Sequence, residues 1–139
     1  MASTAENVKK LKDAYKQWHD TKGGSVNVWL DMMAEDVKVR SLAAGQAAVA
    51  FTAAKSSKED FKRYFDGLLG DWEMINYKTE HFIAEGDRVA MLGSTAWRNR
   101  RTGRVVDTPK ADFWTFRDGQ VVEFFELYDT AALVAAATP

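Results

Sequence analysis

The stretch "ADFWTFRDGQVVEFFELYD", residues 111–129, decides the fold. Two runs rich in aromatic and β-branched residues flank "RDG", a turn signal, so the segment reads as a hairpin of two long strands. A three-residue turn at Arg117, Asp118 and Gly119 sets Phe116 opposite Gln120. Even-numbered residues of both strands then share a face. Asp112, Trp114, Phe116, Phe124, Glu126 and Tyr128 fall on one side, and Phe113, Thr115, Glu123, Phe125 and Leu127 on the other. Both sides are apolar, so both are expected to be covered. A buried carboxylate without a partner is costly. Asp112 and Glu126 therefore face water, satisfy buried groups or sit inside for a chemical reason; facing inward on neighbouring strands, they would be close enough to share a proton.

The same strand–turn–strand rhythm extends upstream. Residues 74–84, a turn at "EGD", residues 89–98, a turn at "RTG" and residues 105–116 precede the last strand at 121–128. The first half is helical. Val8, Leu11, Tyr15 and Trp18 recur at helical spacing up to Gly23-Gly24. Ser25 starts a shorter helix whose stripe is Val26, Trp29, Leu30 and Met33, and "VKVRSL" alternates like a brief strand. Residues 43–55 read as a loop with a short extended piece. Ser56 and Glu59 form a capping box for a third helix with Phe61, Tyr64, Phe65, Leu68 and Leu69 on one face and a stop at Gly70. The last ten residues read as a short helix or tail. Helices first and long hairpins after make an α+β chain of one domain, residues 1–139.

Composition narrows the function classes. With 19 basic and 20 acidic residues, no global field recruits nucleic acid or an anionic membrane. The arginines of "RNRRTGR" straddle a hairpin tip and read as a solvated turn. No cysteine is present and only two histidines, His19 and His81, so neither a thiolate site nor a histidine metal cage is expected. No metal, cofactor or membrane span is expected, nor a signal peptide, and a cytoplasmic location follows. Five tryptophans exceed what a small core needs and point to a lined cavity.

"WLDMMAEDVKVRS", "FIAEGDRVAML" and the 111–129 hairpin carry a resemblance over nearly the whole chain. It is similar to the SnoaL-like and ketosteroid isomerase-like branch of the nuclear transport factor 2-like superfamily. The resemblance implies a cone in which three N-terminal helices pack on a curved, mainly antiparallel sheet, with a homodimer formed through the outer sheet face. It places Tyr15 and Asp112 where those isomerases build an oxyanion hole. Ser41 stands where their general-base aspartate would be, which argues against steroid isomerisation as such. The arginine–aspartate pair of the limonene epoxide hydrolases has no match.

Asp112, Glu126, Tyr15 and His81 are thus the candidate catalytic residues. His81 shares a face with Tyr77, Thr79 and Ile83, and is a general base or a structural histidine according to the register of the "EGD" turn. Trp18, Trp29, Met33, Ser41, Tyr64, Phe65, Trp97, Trp114, Phe124 and Tyr128 are the candidate ligand wall. Two functions remain open. One is a cofactor-free isomerase, cyclase or dehydratase moving a proton on a hydrophobic carbonyl or hydroxyl compound. The other is a module that binds a hydrophobic ligand or a partner without turnover.

Overall fold

The computed structural model describes residues 2–139. Three helices, α1 (Thr4–Asp20), α2 (Val26–Asp31) and α3 (Lys58–Asp71), precede four long strands, β2 (Trp72–Glu85), β3 (Arg88–Asn99), β4 (Val105–Arg117) and β5 (Gln120–Tyr128). The strand β1 (Met33–Ser41) follows α2, and a helix α4 (Thr130–Ala137) ends the chain. The sheet order is β1-β5-β4-β3-β2. Every pairing is antiparallel except that of β1 with β5. This is the α+β arrangement of helices on a curved, mainly antiparallel sheet. No helix among the described residues is long and apolar enough to cross a membrane.

Local chemistry explains the boundaries. Ser3 caps α1 through a complete capping box with Glu6, and Gly23, at φ +88°, turns the chain out of the helix. Val8, Leu11, Tyr15 and Trp18 give α1 the apolar stripe that lies on the sheet. The cap of α3 is Ser57, which accepts from the Asp60 amide, one residue later than the Ser56–Glu59 box suggests. The helix also continues past Gly70, because Trp72 has to reach the core as the first residue of β2. Ser57→Ala is expected to cost about 0.5–2 kcal/mol in thermal or denaturant unfolding, and Ser56→Ala a few tenths at most. Equal losses would misplace the cap.

Residues 43–55 contain a 3₁₀ segment at Ala47–Thr52, where a loop was expected, and the extended piece is Lys55 bridging to Val39. The last hairpin turns through two residues, Asp118 and Gly119, both with positive φ, instead of three. A bulge beyond Thr115 restores the parity, so Trp114 pairs with Phe124 and Asp112 with Glu126.

Two bulges in β2 carry more weight. They lie between Met74 and Asn76 and between Thr79 and His81. Each adds one residue and so exchanges the two faces of the strand. Met74 and Tyr77 are buried, and beyond the second bulge Phe82 takes the inner side. His81 pairs with the outward Leu92 and is exposed. The same bulges bend a long edge strand, which protects it from pairing with a foreign strand.

Candidate functional site

Asp112 lies mid-way along β4, and its cross-strand partner on β5 is Glu126. Like charges directly opposite each other destabilise a sheet. The next inward residue on β4, Lys110, resolves the conflict. Its ammonium contacts Asp112 and stands 3.0 Å from Glu126 Oε1. All three side chains are buried, at 8%, 1% and 3% exposure for Lys110, Asp112 and Glu126. A cation therefore stands between the two acids that were expected to share a proton.

Three phenols complete the cluster, each from a different element. Tyr15 of α1 and Tyr77 of β2 both donate to Asp112 Oδ2, at 2.6 and 2.8 Å. Tyr64 of α3 donates to Glu126 Oε2 at 2.6 Å. The Trp114 indole in turn donates to the Tyr15 oxygen at 2.9 Å. Asp112 thus receives two phenols and the ammonium, whereas Glu126 receives one phenol and the ammonium. With both carboxyls ionised the cluster carries a net charge of −1, from one cation and two anions.

Burial alone would push Lys110 toward its neutral form. The carboxylates of Asp112 and Glu126 outweigh that effect and hold the ammonium well above the usual lysine range. Burial, and then the adjacent carboxylates, push Tyr15, Tyr64 and Tyr77 well above the ordinary phenol value. Tyr128, half-buried, is raised for the same reasons, burial first and Glu126 second. These are all four tyrosines of the chain. A phenol raised in the fold stays neutral after the unfolded chain has begun to ionise. Its contribution to stability is complete below about pH 10 and is lost as the pH rises further. Near-ultraviolet phenolate absorbance is accordingly expected to stay flat past pH ~10 and to rise in one step with alkaline unfolding. A tyrosine ionising near pH ~10 in the folded protein would contradict this geometry.

The cluster forms one wall of a cavity that is otherwise mostly aromatic and aliphatic, with Thr52, Thr95 and Thr108 among its lining. Tyr15, Trp18, Trp29, Tyr64, Phe65, Trp97, Trp114, Phe124 and Tyr128 all line it, with Leu133 contributed by α4. Its free volume of ≈ 80 Å³ exceeds by several times the ~10–15 Å³ one water needs. Trp29 stacks on Trp114 at 5.2 Å between ring centres. Its buried indole N–H has no hydrogen-bond partner.

Three sequence candidates lie outside this cavity. His81 is turned outward by the bulge preceding it. Met33 opens β1 and packs in the core at 1% exposure. Ser41 is buried at the end of β1, where its hydroxyl contacts that of Tyr128, which also accepts from the Ala43 amide. It supports a wall residue without forming the wall. The sequence reading missed Lys110 and Tyr77. Lys110 shares parity with Asp112 along "TPKADFW", so strand alternation carried the signal. A lysine is ordinarily exposed, so alternation alone does not single it out.

The sequence profile described as a SnoaL-like domain matches residues 13–124. A search of curated proteins finds no match. Among solved structures, the chain is similar to a nuclear transport factor 2-like protein of unknown function from Burkholderia pseudomallei. The identity is 19%, with 96% of this chain and 98% of that one covered and a TM-score of 0.81. It is also similar to a protein from Jannaschia sp. provisionally named a SnoaL-like polyketide cyclase, at 20% identity, 98% and 94% coverage and a TM-score of 0.74. A third is TerC co-crystallised with polyporic acid, at 21% identity, 94% and 97% coverage and a TM-score of 0.76. At these identities the likeness is one of fold.

Proposed function

This chain belongs to the SnoaL-like domain family, and from that premise we propose that it binds a small hydrophobic carbonyl or hydroxyl compound and moves a proton on it without a cofactor. The observation that carries this reading is Glu126, a buried carboxyl facing an aromatic cavity with only one phenol and one ammonium on it. Its oxygens keep lone pairs for a substrate proton. Asp112, which receives three donors, is the fixed anion that holds the cluster together. Tyr15 and Tyr77 orient Asp112, and Trp18, Phe65, Trp97 and Trp114 form the apolar bed for the ligand's rings. The co-crystallised polyporic acid of TerC and the cyclase name of the Jannaschia protein agree with a small-molecule role on this fold.

Acetophenone, a small ring carrying a carbonyl and an acidic methyl group, is a suitable probe. It is expected to quench the tryptophan fluorescence saturably and to exchange its methyl protons with deuterium oxide faster than in buffer. Absence of saturable quenching would overturn the reading. A second reading, binding without turnover, is favoured by one feature: both carboxyls already have protein donors, as structural acids do. Quenching without exchange would select it.

We further propose a homodimer through the outer face of the sheet. Phe113 and Ile83 are 43% and 61% exposed there, with Phe125 beneath the Arg40 guanidinium at 4.3 Å. The rim mixes Lys38, Arg40 and Arg88 with Glu85 and Glu123, so two copies can match opposite charges around an apolar centre. Sedimentation is expected to give twice the mass of one 15.6 kDa chain. A single-chain mass at micromolar concentration would contradict it.

A further inference from the structure

Lys110 has a capacity that the protein does not use. An ammonium has three N–H donors. Asp112 takes one and Glu126 faces a second, and among the described residues no third acceptor contacts the nitrogen. What lies near it otherwise is aromatic: the rings of Tyr77 and Phe124, at 5.7 and 5.9 Å from the nitrogen to their centres. Lys110 also lines the cavity. A buried cation at the wall of an apolar pocket, with a donor beyond the two its carboxylates take, can offer that donor to an oxygen inside the cavity.

We infer that Lys110 is the group that receives the substrate's carbonyl oxygen and holds it as an oxyanion, which makes the preferred substrate a neutral, enolisable ketone. This inference rests on the proton-transfer role of Glu126. The charge count supports it. Before reaction the two anions facing Lys110 are Asp112 and Glu126. When Glu126 takes a proton from the carbon next to the carbonyl, that C–H bond breaks and its electron pair forms a C=C bond. The carbonyl π pair moves onto oxygen, and Glu126 becomes neutral. Two anions remain, Asp112 and the enolate oxygen, and the total stays at −1. Lys110 exchanges one anionic partner for another, so charge moves inside the cavity without help from water. Returning the proton to a carbon of the enolate restores Glu126, and no oxidant or reductant is involved. A ligand that arrives as a carboxylate brings a third anion and no proton to give, so it is repelled.

The carbonyl stretching band of bound acetophenone reads this contact directly. In the parent protein the band is expected below its position in water, as for a carbonyl hydrogen-bonded to a cation. Acetophenone is also expected to bind more tightly than α-methylstyrene, the hydrocarbon of the same shape, and benzoate to bind not at all. Lys110→Met should return the band to its hydrocarbon position and weaken acetophenone roughly ten- to a hundredfold while leaving α-methylstyrene unchanged. Should that variant fail to fold, Lys110→Met/Asp112→Asn removes a cation and an anion together, and the same shift is expected. A band at the hydrocarbon position in the parent, or an equally shifted band without Lys110, overturns the assignment. Methyl exchange that still depends on Glu126 would in that case leave the proton-transfer reading standing. Loss of that exchange alone, with the band still shifted, would fail the reading and spare the contact.

Discussion

Lys110→Met is expected to destabilise the protein by about 3–5 kcal/mol, measured by denaturant unfolding. The methionine matches the lysine stem in length, so packing changes little and the loss is electrostatic. It leaves two buried carboxylates directly opposite each other on β4 and β5, with no cation between them. Tyr15 and Tyr77 still serve Asp112, but Glu126 is left with Tyr64 alone. Removing one partner of a buried pair is costly because the other keeps its desolvation penalty. The double variant Lys110→Met/Asp112→Asn should recover part of the loss, since it leaves one buried anion instead of two. The ammonium is held above its usual range, so its contribution is complete at neutral pH and is lost as the pH rises beyond about 10. The parent and Lys110→Met should therefore converge in stability at alkaline pH. A cost below about 1 kcal/mol would place Lys110 in water, outside the cluster.

Glu126→Gln carries the largest expected effect on chemistry. Glutamine keeps the length and a carbonyl that accepts from Tyr64, so the cavity retains its shape and acetophenone should still quench the tryptophans. It has no group that takes a proton, and loss of a positioned general base typically costs roughly 10²–10⁴-fold in rate. Asp112→Asn is predicted to behave differently. Asp112 already has three donors, and its replacement loosens the attachment of α1 and β2 more than it slows proton transfer. The two acids are thus expected to separate, one in rate and the other in stability. If both variants slowed exchange equally, the division of roles drawn from their partner counts would be wrong.

How much of this was legible in the sequence follows from what each feature depends on. The 111–129 hairpin was readable because alternation and turn residues are local, and parity put Asp112 and Glu126 on one shared face, which the resemblance marked as the inner one. The two-residue turn and its compensating bulge preserved that parity, so an incorrect turn length did no harm. The bulges of β2 had the opposite consequence. Nothing in "YKTEHFI" marks where an extra residue enters, and one such residue turns His81, whose face the sequence left open, to solvent. Met33 belonged to the helical period of α2 but lies beyond its end, because the chain turns into β1 at that point. Lys110 was hidden by its own chemistry. A lone lysine between Pro109 and Ala111 suggests a solvated strand edge, and only the pairing of β4 with β5 places two acids around it.

The measurement that most directly tests the central claim is deuterium entry into the methyl group of acetophenone, followed by NMR in the presence of the parent protein. The cavity reading predicts a rate that saturates with acetophenone concentration and falls when α-methylstyrene occupies the same aromatic bed. Exchange no faster than in buffer, or exchange indifferent to α-methylstyrene, would contradict it.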